Sequence, residues 1–167
     1  MRKAFTMIEL IFVIVIIGIL ASVAISRLSA TRDDAKISVC MNDIATFMID
    51  ISSFYTTRGD FIDPLTGTVV PESITDVDFI PTPTIDHDGD NGNFQFACGD
   101  ISTPTAIVVF TTAKVSHASG ESSIRMTATT QTPLNIVDTG LASLLQKKNI
   151  ASPAGIEHFI GGIRTKR

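Results

Sequence analysis

The 167-residue chain carries 17 Asp and Glu against 13 Lys and Arg, a formal net charge of −4. That length suits one domain and not comfortably two, and the acidic balance argues against a general nucleic-acid surface. The 44% hydrophobic content is inflated by a single stretch at the N-terminus.

The chain opens on a basic leader, Met1-Arg2-Lys3-Ala4, and then runs FTMIELIFVIVIIGILASVAI over Phe5–Ile25. At about 1.5 Å per residue such a helix reaches about 31 Å, close to the roughly 30 Å of a bilayer's hydrocarbon core. Ile and Val are mediocre helix formers in water, but in lipid a helix is the way to bond every backbone group internally. Two fates compete for the segment. As a secretory signal, Arg2 and Lys3 are its basic end, Leu10–Leu20 its apolar middle, and cleavage follows Ala24. As a permanent anchor, it must accommodate Glu9. A carboxylate inside a membrane segment costs on the order of a few kcal/mol and usually has a partner, and an export signal has no use for one, so Glu9 favours the anchor. A cut between Ala4 and Phe5 creates the partner, a free amine at Phe5 one turn from Glu9. A carboxylate there also complements the helix dipole. Glu9 can approach its own amine or the Phe5 amine of the next chain, in which case assembly neutralises both groups. Gly18 and Ser22, with Ala21 beside them, are the small residues that let membrane helices pack closely. Arg2 and Lys3 place the N-terminus in the cytoplasm.

The stretch MRKA-FTMIELIFVIVIIGILASVAI resembles the prepilin N-terminus of type IV pilins and type II secretion pseudopilins. The matching features are the short basic leader, Phe first after the cut, Thr second, Glu fifth and the long apolar run. The resemblance extends over residues 1–30. It implies cleavage after Ala4, N-methylation of Phe5 by a prepilin peptidase, and helical filament assembly in which Glu9 meets a neighbour's N-terminus. It also implies a long helix packed on a small antiparallel β-sheet. Ala4 stands where the family usually has Gly, and Ile25-Ser26 where it often has Ile-Pro.

From Ser26 onward charge returns, with Arg27, Arg32, Asp33, Asp34 and Lys36. Neither Pro nor Gly interrupts until Gly59. Ile37, Cys40/Met41, Ile44, Phe47/Met48, Ile51 and Phe54/Tyr55 recur at three-to-four spacing, the mark of a helix with one buried stripe. The spacing predicts one continuous helix over residues 5–57, its second half covered by later parts of the chain. A coiled-coil seam is the competing use of that stripe. Cys40 and Cys98 both lie on the exported side of the anchor, where an oxidising periplasm permits one bridge; the alternative is two buried thiols.

Residues 59–93 are punctuated by Gly59-Asp60, Asp63-Pro64, Thr66-Gly67, Pro71, Pro81 and Pro83. Within them at most Thr68–Val70 and Val77–Ile80 are short strands. Better strand candidates follow at Asn93–Cys98, Thr105–Thr112 and Ile124–Thr130, separated by turn residues. Ala106–Phe110 is nearly all apolar and reads as a central strand, whereas Ile124–Ala128 alternates as a half-exposed one. Thr139–Lys148 reads as a short helix with Lys147 and Lys148 at its C-terminal end. Ile156–Ile160 is a last strand or a docked segment. The elements sum to an α+β fold. Its parts are a leader over residues 1–4, a membrane or filament-core helix over 5–26, and a periplasmic globular domain over 27–167 that includes the second half of the long helix.

Between Gly59 and Ala113 there is no Lys or Arg, but there are nine carboxylates. The densest part is Asp86-His87-Asp88-Gly89-Asp90-Asn91-Gly92-Asn93. Oxygen ligands at alternate loop positions are how calcium loops are built, so Asp86, Asp88 and Asp90 are candidate calcium ligands. The helix-loop-helix calcium motif itself is absent, since Ala97 stands where its closing Glu belongs. Some major pseudopilins bind calcium in loops of the globular domain, which supports the expectation by analogy. The competing reading is an Asx-rich turn with solvated carboxylates. His87, His117 and His158 lack zinc-ligand spacing. No nucleophile elbow or phosphate loop appears, so no enzyme is expected. The expected function is a structural one, a pilin or pseudopilin subunit whose partners are other subunits, the prepilin peptidase and the inner membrane. The alternative is an acidic secreted or membrane-anchored module that binds calcium or a basic ligand, its N-terminus serving only as a signal.

Overall fold

The computed structural model describes residues 6–62, 69–70, 73–80, 83–98, 107–116, 122–133 and 135–164. The chain divides into two units, residues 1–35 and 36–167. Helix α1, Met7–Arg58, contributes to both.

In the first unit the apolar side chains of α1 stand uncovered from Met7 to Leu28. Its hydroxyls do not wait for a partner. Ser22 Oγ donates to the Ile19 carbonyl at 2.9 Å and Ser26 Oγ to the Ser22 carbonyl at 3.3 Å. Bonding back to the helix's own carbonyls keeps polar side chains satisfied where no water is present.

The second unit is α1 covered by a sheet. The predicted stripe is the buried one: Ile37, Cys40, Ile44, Phe47, Ile51, Phe54 and Tyr55. It is covered by a four-stranded antiparallel sheet, β1 (Gly92–Phe96), β2 (Val108–Ser116), β3 (Ser122–Thr130) and β4 (Ile156–Arg164), in the order β1-β2-β3-β4. Alternation puts Phe94 and Phe96 of β1, Val108 and Phe110 of β2, and Ile124, Met126 and Ala128 of β3 inside. Phe94 lies opposite Phe110, and Phe110 opposite Ala128. Small Ala128 beside large Phe110 leaves room for the helix. Phe47 fills that space, with ring centroids 4.8, 4.9 and 5.0 Å from Phe79, Phe94 and Phe110. Aromatic pairs at such separations add about 0.5–1.5 kcal/mol each beyond burial.

Two further fittings hold the ends of the stripe. Gly161 of β4 lies against the Tyr55 ring, which a Cβ at that position would strike. Helix α2, Ile136–Lys147, is capped by Asn135, whose side chain accepts from the Asp138 N–H at 2.8 Å. It buries Val137, Leu141 and Leu145, and Gly140 lets it approach Ile37.

The strands depart from their predicted bounds for a physical reason. β2 runs on to Ser116 because β3 begins at Ser122 and pairs with it there; residues 105 and 106 lie outside the described residues. β4 continues beyond Ile160 to Arg164, and irregular pairing between Ser122 and Arg125 accommodates it. Ser123 and Ile124 beside that irregularity are both buried. Val77–Ile80 is not a strand. It makes one ladder-like bond, Ile80 N–H to the Gln95 carbonyl at 3.0 Å. Val69 and Val70 are irregular, and Thr68 lies outside the described residues.

Cys40 and Cys98 form a disulfide, their Cα atoms 5.8 Å apart. It ties the helix stripe to the chain leaving β1 across a separation of 58 residues. Closing so long a loop removes entropy from the unfolded chain worth about 4 kcal/mol. The denatured, unreduced protein is therefore expected to resist thiol labelling at both cysteines. Joint replacement by Ser is expected to lower unfolding free energy by up to about 4 kcal/mol, read from denaturant titration.

Candidate functional site

Three groups of residues stood out in the sequence: the N-terminal turn around Glu9, the small residues of the anchor, and the acidic loop. Ala4 and Phe5 lie outside the described residues.

At the N-terminal turn, Thr6 is the last residue before the helix and Glu9 lies in its first turn. Thr6 donates twice to the same carboxylate oxygen, from its backbone N–H at 2.9 Å and from its hydroxyl at 2.8 Å, both to Glu9 Oε2. The Glu9 N–H returns a bond to Thr6 Oγ1 at 3.3 Å. This is a capping box, in which side chain and backbone at the two positions satisfy each other's free helix-end groups. The sequence signal for it is the Thr-x-x-Glu spacing, and reading Glu9 only against an amine overlooked Thr6. The box means that Glu9 is not bare even within one chain. The carboxylate, costly in lipid, is held at the helix end where free N–H groups and the positive end of the dipole converge.

Further along the helix, a Cβ at Gly18 would meet nothing within 4 Å. Gly18 and Ser22 are therefore an open, small-residue patch that a second helix could approach.

The acidic loop is tied to its surroundings by hydrogen bonds and one ion pair. Gly89, at φ +83°, is buried, and a Cβ there would strike both Phe61 and Ile124. Asn91 also adopts a left-handed conformation, at φ 53°, which Asn tolerates better than most residues. The three carboxylates accept from three donor groups on two residues, Asn91 and Lys114. Asp86 Oδ2 accepts from Asn91 Nδ2 at 2.8 Å. Asp88 Oδ2 meets Lys114 Nζ at 2.9 Å. Asp90 Oδ1 accepts from the Lys114 backbone N–H at 3.2 Å. Phe61 N–H donates to the His87 carbonyl at 2.9 Å. The loop thus closes the core over Phe61 and Ile124 and is tied to β2 through Lys114. Among the described residues no three His, Cys, Asp or Glu side chains gather as a metal cluster. Lys114 was the residue missed. It ends the cation-free stretch in the sequence, but only the β2 register carries it to the loop.

Lys114's hydrogen bond holds the Asp88 carboxyl below its ordinary 3.8, and Asp88 in turn raises the Lys114 ammonium above 10.5. Asp88's contribution is present above its unfolded pKa and lost as pH falls through its lower folded value. Lys114's contribution is present below its unfolded pKa and lost as pH rises through its higher folded value. The pair therefore stabilises from about pH 4 to about pH 10. Both side chains are about one-third exposed, so solvent screening keeps the pair within about 0.2–1 kcal/mol. Lys114→Met is expected to lower Tm by about 1–3 °C near neutral pH. The difference from the unmodified chain should close as pH falls through the lowered folded pKa of Asp88, as read from melting curves across pH.

Residues 1–25 match the family model described as the prokaryotic N-terminal methylation motif. This is the prepilin-type cleavage and methylation signal of type IV pilins and pseudopilins. No curated protein and no solved structure matches the chain.

Proposed function

We propose that this chain, which carries the prepilin-type signal at its N-terminus, is a structural subunit of a type IV pilus or a type II secretion pseudopilus rather than an enzyme. The observation that carries the reading is the meeting of two features on one element. The methylation motif over residues 1–25 coincides with a helix apolar enough to cross a membrane, none of whose most apolar window is buried. A chain exposing that much apolar surface needs lipid or other chains to cover it.

In this reading the peptidase removes residues 1–4 and methylates the Phe5 amine. The helix then holds the subunit in the inner membrane, with residues 27–167 in the periplasm. Filament assembly replaces lipid with neighbouring helices around residues 5–26, close contact being favoured at Gly18 and Ser22. The Thr6–Glu9 box supports a definite sequence of events. Glu9 is held by Thr6 in the single subunit, and its charge is met by a neighbour's Phe5 amine when the subunit is taken into the filament. Mass spectrometry of the mature N-terminus is expected to find methylated Phe5; a mature chain starting at Ile25 would show a secretory signal instead. Glu9→Ala is expected to leave membrane insertion intact and to block entry into filaments, seen by electron microscopy of sheared cells.

Calcium at Asp86, Asp88 and Asp90 belongs to the same proposal as a ligand of the globular domain. An ion there would compete with the Lys114 ammonium for Asp88, since two cations cannot share one carboxylate without repulsion. Lys114→Met is therefore expected to tighten calcium binding, measured by titration calorimetry on the full chain in detergent. Equal or weaker binding in that variant would remove calcium from this loop.

A further inference from the structure

Charge is segregated along the second half of the chain, and the sheet order turns that segregation into geometry. Residues 59–113 hold nine carboxylates and no Lys or Arg, whereas residues 114–167 hold seven Lys and Arg against three carboxylates. The acidic segment flanks β1, one edge of the sheet. Its chain runs beside that edge, with Ile80 N–H bonded to the Gln95 carbonyl and Thr84 paired with Asn93. Asp76, Asp78 and Asp86 stand exposed there. The basic segment supplies the end of α2 and β4, the other edge, whose exposed Glu157 is paired with Arg125 of β3 at 3.0 Å. Lys147 and Lys148 are exposed, two residues before Ile150, whose carbonyl lies 2.6 Å from His158 Nε2 on β4. Phe159 is 62% exposed on the same strand. Among the described residues no further strand pairs with β4.

The two edges are three strand spacings apart, about 14 Å. That exceeds a Debye length of about 8–10 Å at moderate salt, so within one molecule the edges are largely screened from each other. Between two molecules they need not be. Like edges repel and unlike edges attract, and charge complementarity of this kind fixes orientation more than it adds affinity.

We propose that the β4 edge, with Lys147, Lys148 and Phe159, docks the acidic β1 side of a second copy of this chain. The contact is heterologous: each copy offers one edge and receives the other. Such a contact does not close on itself unless its rotation brings the chain of copies back to the start, and otherwise it propagates as a helix. The inference deepens the subunit reading and rests on it for the helical outcome. It adds which faces of neighbouring globular domains meet, and it excludes a symmetric pairing of like edges.

The test uses the full chain in excess zwitterionic detergent, with self-association read by sedimentation velocity at low and high salt. The unmodified chain is expected to associate, and to do so less as salt rises. Lys147→Glu with Lys148→Glu makes both edges acidic, and Asp76→Lys with Asp78→Lys makes the β1 side less acidic. Each double variant alone is expected to associate about tenfold more weakly, while an equimolar mixture of the two associates again, because unlike edges are then present on different molecules. Circular dichroism confirms that each variant is folded. Folded variants that associate like the unmodified chain, a mixture that does not recover, or an unmodified chain that stays monomeric at every salt concentration would each overturn the proposal. Association is read without leader processing. Failure to find methylated Phe5 would thus defeat the subunit reading and leave the edge contact standing, and failure of the mixture would do the reverse.

Discussion

The buried stripe of α1 is the constraint on which the rest of the globular unit depends. Seven side chains from Ile37 to Tyr55 present one apolar face, and nothing on the helix itself can cover it. The sheet exists to do so, and its composition answers the helix position by position. Phe47 meets three rings at the centre, Tyr55 fits over Gly161, and Ile37 approaches Gly140. Large residues on the helix face glycines at both ends, where the backbone must come close. Interiors packed to crystal density leave no slack for such fittings to be incidental. The disulfide acts on the same interface, joining the stripe to the end of β1.

The first half of the same helix has no cover among the described residues. There the apolar side chains are uncovered, and the polar groups are satisfied within the helix: Ser22 and Ser26 by carbonyls, Glu9 by Thr6. These are the conditions lipid imposes, since no water is there to take the missing bonds. The sequence of α1 is apolar all round to Ile25, turns charged from Arg27, and is apolar on one side from Ile37 on.

The acidic loop has a structural use. Gly89 and the backbone around His87 close the core over Phe61 and Ile124, and a loop making that turn places its polar side chains outward. Each carboxylate then takes the nearest donor: an Asn amide, a Lys ammonium, a backbone N–H. The surplus of negative charge left around β1 has its counterpart at β4.

What the sequence determined by itself was local. The length and apolarity of the anchor, the three-to-four spacing of the stripe, the oddity of Glu9 and the alternation in β3 depend only on neighbours within a turn or along a strand, and they were legible without coordinates. So was the Thr-x-x-Glu capping box, had Thr6 been weighed beside Glu9. The tertiary structure decided what depends on register between distant segments. Lys114 reaches Asp88 because β2 extends past Thr112 to pair with Ser122–Ile124. Cys40 reaches Cys98 because the stripe lies under β1. Asp86 turns to Asn91 of its own loop, whereas Asp88 and Asp90 turn to the side chain and the backbone of Lys114 on β2. Spacing along a chain says which side chains share a face, but only the pairing of strands says what that face will meet.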